Sequence, residues 1–448
     1  MIQEKDDFTQ GRILPKFFRF VLPVLGALLL QAAYGATDLA VVGWFGDKTG
    51  TAAVGTGSAV MQLVTVIIAG VTMGATVVIG QLLGERKPED AGRAIGSSVW
   101  LFGGLAVILT ILMELLTEPL VRLMNAPEEA FLQTVTYVRI CSAGIVLITA
   151  YNGISGVFRG LGNSRLPLLF VAIAAAFNVA GDFILVGAFR MDVAGAAIAT
   201  VAAQGLSVVL SLLIIRRHQM PFTMNRASMR PDRRLIRRIL RVGTPIALQD
   251  ALVHLSFLLI NSAVNAIGIE QSAGYGVAER VTAFIFLVPS AVMAGVSAFV
   301  AQNMGAVKRD RAKKTTFLAM GIGCAFGVLL FCAGFFGGEI LSGLFSHEPD
   351  VVEQSAMYLR GFSADCLLTC VLFAFIGYFN GCGKTVYVMI QGITSSFLFR
   401  VPLSWLFARI PGATLTTIGF AAPIATVYGI AFCIVCYFLM ERKEKKLV

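Results

Sequence analysis

Five acidic side chains lie five or more residues inside long apolar stretches that hold little else that is polar: Asp38, Asp182, Asp250, Glu279 and Asp365. An ionisable group near the centre of a membrane helix costs at least about 2.5 to 3.5 kcal/mol, so each marks a candidate site. Depth sorts them. The stretches at 17 to 45 and 167 to 187 both run outward. Asp38 lies about seven residues from the outer end of the first and Asp182 about five from that of the second. At about 1.5 Å per residue the two sit at nearly one level. Asn178 is one turn below Asp182 on the same helix face, and Tyr137 and Thr200 enter neighbouring stretches from the outer side. Two carboxylates with an amide, a hydroxyl and a phenol supply oxygen ligands and crowded negative charge, which suit a shared proton or a hard cation. Asp38, Asp182, Asn178, Tyr137 and Thr200 are the expected cation-coupling group, with Asp38, Asn178, Asp182 and Thr200 able to hold sodium. Thr200 taken alone fits equally a residue that glues two helices together.

Of the other charges, Asp250 and Asp365 are the weaker candidates for a substrate cavity. Asp250 follows Gln249 one or two turns above the inner end of its stretch, shallow enough to be wetted. Asp365 lies in an outer half and is either a site for the second half or one side of a locked structural ion pair with Arg400, deep in the next stretch. Glu279 and Arg280 are neighbours on one helix and do not face each other, and His254 reads as a packing residue. The 33 Phe and 15 Met are mostly lipid-facing bulk and core. They also suit a polyspecific cation cavity, because thioethers repack and ring faces attract ammonium groups.

Composition fixes the elements that must carry these groups. At 57% hydrophobic and 14% charged, the 448-residue chain departs from soluble globules, whose charged fraction is about 25%. A crossing helix needs about 20 apolar residues. Twelve spans follow, at 17 to 45, 52 to 83, 95 to 117, 131 to 153, 167 to 187, 195 to 215, 243 to 266, 273 to 304, 315 to 342, 354 to 378, 386 to 408 and 418 to 440. The net charge of +10 collects in the tails and alternate loops, among them Arg86, Lys87, Lys308, Arg309 and the Arg442 to Lys446 tail. That pattern argues against nucleic acid and, by the positive-inside rule, places both termini in the cytoplasm. Nine Arg between Arg216 and Arg241 mark a linker against anionic lipid. The polar, acidic Met1 to Asp7 is not the start of a cleavable signal.

The chain repeats itself at an offset of 221. Ala52 and Ala273, Gly74 and Gly295, Gln81 and Gln302, Tyr137 and Tyr358, Arg139 and Arg360, Gly156 and Gly377, and Gly160 and Gly381 all stand in register. Six spans per half give both copies the same orientation. The expected fold is thus an all-α integral membrane protein, twelve helices in two parallel six-helix lobes related by a pseudo-twofold along the membrane normal. The expected divisions are residues 1–215, a basic cytoplasmic linker at 216–242, and residues 243–448. In register, Asp38 meets Leu259 or Ile260, Asn178 meets Phe399 and Asp182 meets Leu403, so these polar groups were not copied. The second half is then expected mainly to supply a cavity wall.

With these features the chain resembles the multidrug and toxic compound extrusion (MATE) family over essentially its whole length. The resemblance rests on Ala36-Thr-Asp-Leu-Ala-Val-Val-Gly-Trp-Phe-Gly46, on Gly80-Gln-Leu-Leu-Gly84 and its echo Ala301-Gln-Asn-Met-Gly-Ala306, on Phe158-Arg-Gly-Leu-Gly162, and on the Asn178 to Asp182 element. In the DinF-like branch, the span 1 acid matches Asp38 and the span 5 pair matches Asn178 and Asp182. The accompanying Tyr, Asn and Thr match Tyr137, Asn152 and Thr200, with Asn152 a weaker candidate that the resemblance adds to the substrate cavity beside Asp250 and Asp365. The resemblance implies antiport, in which a proton or sodium ion at the first-half acids bends span 1 and a drug leaves as the lobes rock. The span 7 Glu of the NorM-like branch would fall near Val253 or His254, so its sodium site is not matched.

The implied function is export of amphipathic organic cations from a plasma (inner) membrane, without an enzymatic step or a cofactor, by a chain whose fused repeat makes a monomer the simpler form. A flippase for lipid-linked sugars is the alternative, although such carriers favour cationic cavities. A major-facilitator transporter would need Gly-x-x-x-Asp-Arg after span 2, where the chain reads Gly84-Glu-Arg-Lys-Pro-Glu-Asp. Gly383-Lys-Thr385 resembles the end of a P-loop, but Tyr378 stands where its first Gly belongs. The eight Cys read as small core residues, the Cys433 to Cys436 C-x-x-C included.

Overall fold

A computed structural model describes residues 7–124, 127–217 and 228–445; the central linker residues 218–227, Lys446 and most of the acidic N-terminus lie outside it. The described chain is helical throughout its apolar stretches, the form that satisfies backbone polar groups within one segment in lipid. Eleven helices are long and apolar enough to cross a membrane, and a bent pair makes a twelfth crossing. In order they are α1 (Ile13–Phe45), α2 (Thr49–Gly84), α3 (Pro88–Leu123), α4 (the pair Glu128–Ala143 and Ile145–Gly160), α5 (Arg165–Ala188) and α6 (Asp192–Arg216), followed by α7 (Arg233–Asn265), α8 (Ile269–Gly305), α9 (Arg309–Phe336), α10 (Pro349–Gly381), α11 (Thr385–Ala408) and α12 (Leu415–Arg442). The protein is therefore an all-α, multi-pass membrane protein with the expected twelve spans.

Local chemistry sets the helix ends. The Asp47 carboxylate accepts from the Gly50 amide at 2.7 Å and caps α2. With the Thr49 hydroxyl as the larger influence and that amide behind it, Asp47 is held below the usual carboxylate range. Pro88 and Pro349 start α3 and α10, each with acidic residues in the first turn.

Contacts divide the chain into two units, Met1–Ala247 and Leu248–Val448. The boundary falls inside α7, because the basic linker is already helical from Arg233. Ile239 is fully buried there, and the Ile239 carbonyl and Gly243 lie directly against Gly74 of α2. The Arg-rich stretch thus carries apolar residues at helical spacing that dock on the first unit, where a linker up to residue 242 was expected.

Within each unit the copied glycines set helix approach. A Cβ on Gly156 of α4 would stand 2.2 Å from Thr72 Cγ2 of α2, and one on Gly377 of α10 would stand 2.7 Å from the Met293 carbonyl of α8. Thr72 and Met293 are themselves 221 apart. The same crossing is made twice, and it requires small residues. The Thr76 hydroxyl adds a 2.9 Å hydrogen bond to the Gly156 carbonyl. One outer ion pair also repeats, with Arg139 Nη2 2.9 Å from Glu118 Oε1 and Arg360 Nη2 3.2 Å from Glu339 Oε1.

The breaks do not repeat. In the first unit α4 bends by 52° at Gly144 while α2 runs unbroken. In the second, α10 is unbroken and α8 is interrupted at Phe286, three residues before Pro289, whose missing N–H frees the Ile285 carbonyl. Each unit also has one π-helical segment, Phe183–Ala188 in α5 and Ser395–Arg400 in α11. The first begins directly after Asp182 and the second ends on Arg400, so each adjoins a charged residue of its unit's interior.

Candidate functional site

In the first unit, α1, α5 and α6 bring four of the expected residues together. Asp38 and Asp182 are 5% and 0% exposed, and their carboxyls lie within hydrogen-bonding reach of each other. The Thr200 hydroxyl donates to Asp38 Oδ2 at 3.1 Å, and Asn178 Nδ2 donates to Thr200 Oγ1 at 3.3 Å. Among the described residues no donor reaches Asp38 Oδ1, either oxygen of Asp182, or Asn178 Oδ1. Four buried oxygens of one cluster are thus left open, and no ion pair joins either acid to a described base. Buried carboxylates in that condition call for a proton or a cation.

Tyr137 is buried on α4 in the electrostatic reach of Asp38, but its hydroxyl pairs with Ser58 of α2 at 3.1 Å. Asn152 is not drawn into the cluster, since its Nδ2 donates to the Ile148 carbonyl of its own helix at 2.8 Å. Its neighbour Tyr151 takes the inward position instead and accepts from Gln31 Nε2 at 3.3 Å. A cleft runs from Asn178 and Thr200 inward past Tyr34 and Tyr151 to Gln31 and Gln204. Tyr34 and Gln204 were missed in the sequence, yet each stands four residues from a cluster member, Asp38 and Thr200, and so shares its helix face.

In the second unit α7, α8, α10 and α11 enclose a separate cavity. Glu279, Tyr275, Tyr358, Asp365 and Arg400 line it, with Phe257, Phe286 and Phe362 among its aromatic walls. Asp365 is 3% exposed; Thr369 donates to its Oδ2 at 3.0 Å, Thr426 stands beside it, and no described donor closes on Oδ1. The locked ion pair with Arg400 is not formed. Arg400 Nη2 instead donates to Ser256 at 2.7 Å and Ser396 at 2.8 Å, and its guanidinium carbon lies 4.3 Å from the centre of the Phe257 ring. Two hydroxyls and a ring face hold the cation away from the acid.

Glu279 is the residue that reading charge by charge passed over. It lies beside Tyr275, whose buried hydroxyl makes no hydrogen bond to a described residue, and in the field of Tyr358, while Arg280 points to the surface. The second unit's interior charges occupy different positions of the repeat from those of the first. Asp250 joins neither group and makes no hydrogen bond or ion pair with a described residue, whereas adjacent Gln249 packs on Gly392.

A duplicated six-helix half in an all-α, multi-pass membrane protein is an architecture found among transporters. The chain belongs to the MatE family: the family's model matches residues 23–184 and 245–406, and the two matched stretches begin one residue more than the repeat offset apart. It is 28% identical over 406 residues to the probable multidrug resistance protein YpnP of Bacillus subtilis, covering 90% of each chain. It is 24% identical over 452 residues to the multidrug export protein MepA of Staphylococcus saprophyticus, covering 97% of this chain and 96% of that one. Its fold matches that of a multidrug resistance MATE family transporter of the MOP superfamily in an outward-facing conformation, with a TM-score of 0.93 at 20% identity over 99% of both chains.

Proposed function

We propose that the protein is a secondary multidrug exporter that releases amphipathic organic cations in exchange for protons or sodium ions. The observation that carries this reading is the open oxygen set of Asp38, Asp182 and Asn178, contributed by two helices and supported by Thr200 from a third. Such a set accepts a proton between its carboxyls or a hard cation among its oxygens. Neutralising it changes the relative stability of any two states that hold α1 and α5 differently, and that difference is what couples an ion to a transport cycle. Family membership and the names of the curated relatives support a drug-like cargo. The bias of Lys and Arg towards alternate loops supports a plasma-membrane protein with both termini in the cytoplasm. The fused repeat supports a monomer, in contact with anionic lipid through its basic linker.

The test is efflux of a panel of fluorescent organic cations from proteoliposomes under separately imposed proton and sodium gradients. Efflux that responds to one gradient and disappears in Asp38→Asn is the expected result. Efflux indifferent to both gradients sinks the antiport reading.

A further inference from the structure

The cleft of the first unit continues inward as a line of polar side chains. Because α1 runs outward and α6 inward, Tyr34 and Gln204 stand one turn to the inner side of Asp38 and Thr200, with Gln31 and Ser207 a turn further in. Beside them α4 runs inward and carries Tyr151, Ser155 and Arg159 on one face, the last next to the helix's final residue, Gly160. Gln31 joins the two rows by donating to the Tyr151 hydroxyl at 3.3 Å. Beyond that bond, Ser155 Oγ and Gln204 Oε1 are buried without a partner, and Arg159 Nε is buried without an acceptor. Tyr151 lies in the field of Arg159, and among the described residues no acid pairs with that guanidinium. A cation so placed is costly and serves no ion pair. The second half copies the helix crossing but not this face, since Leu372, Ile376 and Asn380 stand in the register of Tyr151, Ser155 and Arg159. The polar row goes with the unit that holds the acid pair.

We propose that this line is the inner half of a proton path, joining Asp38 and Asp182 to the cytoplasm through the interior of the first unit, and that Arg159 is its barrier. A hydroxyl donates and accepts at once, so Tyr34, Tyr151, Ser155 and Ser207 can hand on a proton with a water between them. The cleft has room for about one water, which suits a proton and excludes an organic cation. The line holds no carboxylate to offset the dehydration of a sodium ion. A proton released by the acid pair passes inward from oxygen to oxygen and is delivered to water at the inner end of α4. The fixed positive charge there raises the barrier to a free cation, so the path does not dissipate the gradient. The role in coupled export rests on the exporter reading, but the path is testable without any cargo.

The experiment is proton flux across proteoliposomes that carry the full chain and entrapped pyranine, without drug, and with potassium and valinomycin to balance charge. Arg159→Met keeps the bulk of the side chain and loses its charge. It is expected to pass protons at least about tenfold faster than the native chain under an imposed pH gradient. Arg159→Lys should stay at the native rate, and a sodium-selective dye should show no sodium leak in either variant. Adding Tyr151→Phe and Ser155→Ala to Arg159→Met should close the leak, because the hydroxyls that carry it are gone. An Arg159→Met chain as tight as the native one, a leak that survives loss of both hydroxyls, or an equal leak of sodium overturns the inference. Arg159→Gln takes the same test where Arg159→Met does not fold. A native chain without gradient-driven efflux would defeat the exporter reading, whereas the leak and its closure would still establish the path.

Discussion

Where the first half of the chain has Ser58 against Tyr137, the second has Glu279 in the field of Tyr358, and where the first bends at Gly144 the second places Asp365 in an unbroken helix. The exchange also runs the other way, with Leu259 in the register of Asp38, Leu403 in that of Asp182, and Arg400 in that of Val179. What stayed constant is contact geometry: the Gly156 and Gly377 crossings and the Glu118–Arg139 and Glu339–Arg360 pairs. Duplication preserved the positions where a side chain would not fit and released those where a polar group could be accommodated. The result is one interior with acids and no base paired to them, and another with both signs held apart.

The largest effect should come from breaking that asymmetry on the acid side. Asp38→Asn or Asp182→Asn should bring gradient-driven efflux in proteoliposomes down to the protein-free background, with the protein still monodisperse in detergent. Leu259→Ala at the mirrored position should leave efflux intact; equal losses at the two positions would erase the contrast. Next in size is Thr200→Val, which removes the donor to Asp38 Oδ2. It should raise the half-saturating ion concentration about tenfold, in the range seen for supporting groups at ion sites. An unchanged ion dependence would reduce Thr200 to helix glue.

The shared scaffold should respond alike in both halves. Gly156→Ala and Gly377→Ala force a Cβ into Thr72 and the Met293 carbonyl respectively, and each should cost about 1 to 3 kcal/mol, visible as a lower melting temperature in detergent. A penalty confined to one half would mean that the two crossings are not equivalent. Smallest are Arg139→Gln and Arg360→Gln. Both ion pairs are about half exposed, so each change should cost less than about 1 kcal/mol, and a larger shift in either melt would show a hidden structural role.

The twelve spans and the repeat were legible because apolar run length and glycine register are written directly in the sequence. Asp38, Asn178, Asp182 and Thr200 were legible because depth can be counted from a span's end. The second unit's cavity was not legible in the same way. Glu279 and Tyr275 come from one helix, Asp365 and Tyr358 from another and Arg400 from a third, and only packing decides that Arg400 turns to Ser256 and Ser396 in place of Asp365. Asn152 illustrates the opposite limit: its type suited the site, but the Ile148 carbonyl one turn away was a nearer partner.

The Asp38–Asp182 pair also sets the electrical character of the proposed cycle. If the pair takes up one proton or sodium ion for each monovalent organic cation released, no net charge crosses, and membrane voltage adds nothing to export. If each carboxyl carries its own proton, one positive charge moves inward per cycle, and voltage contributes about 2.3 kcal/mol per 100 mV. Clamping the potential of loaded proteoliposomes with potassium and valinomycin therefore counts the ions held by the pair without observing them.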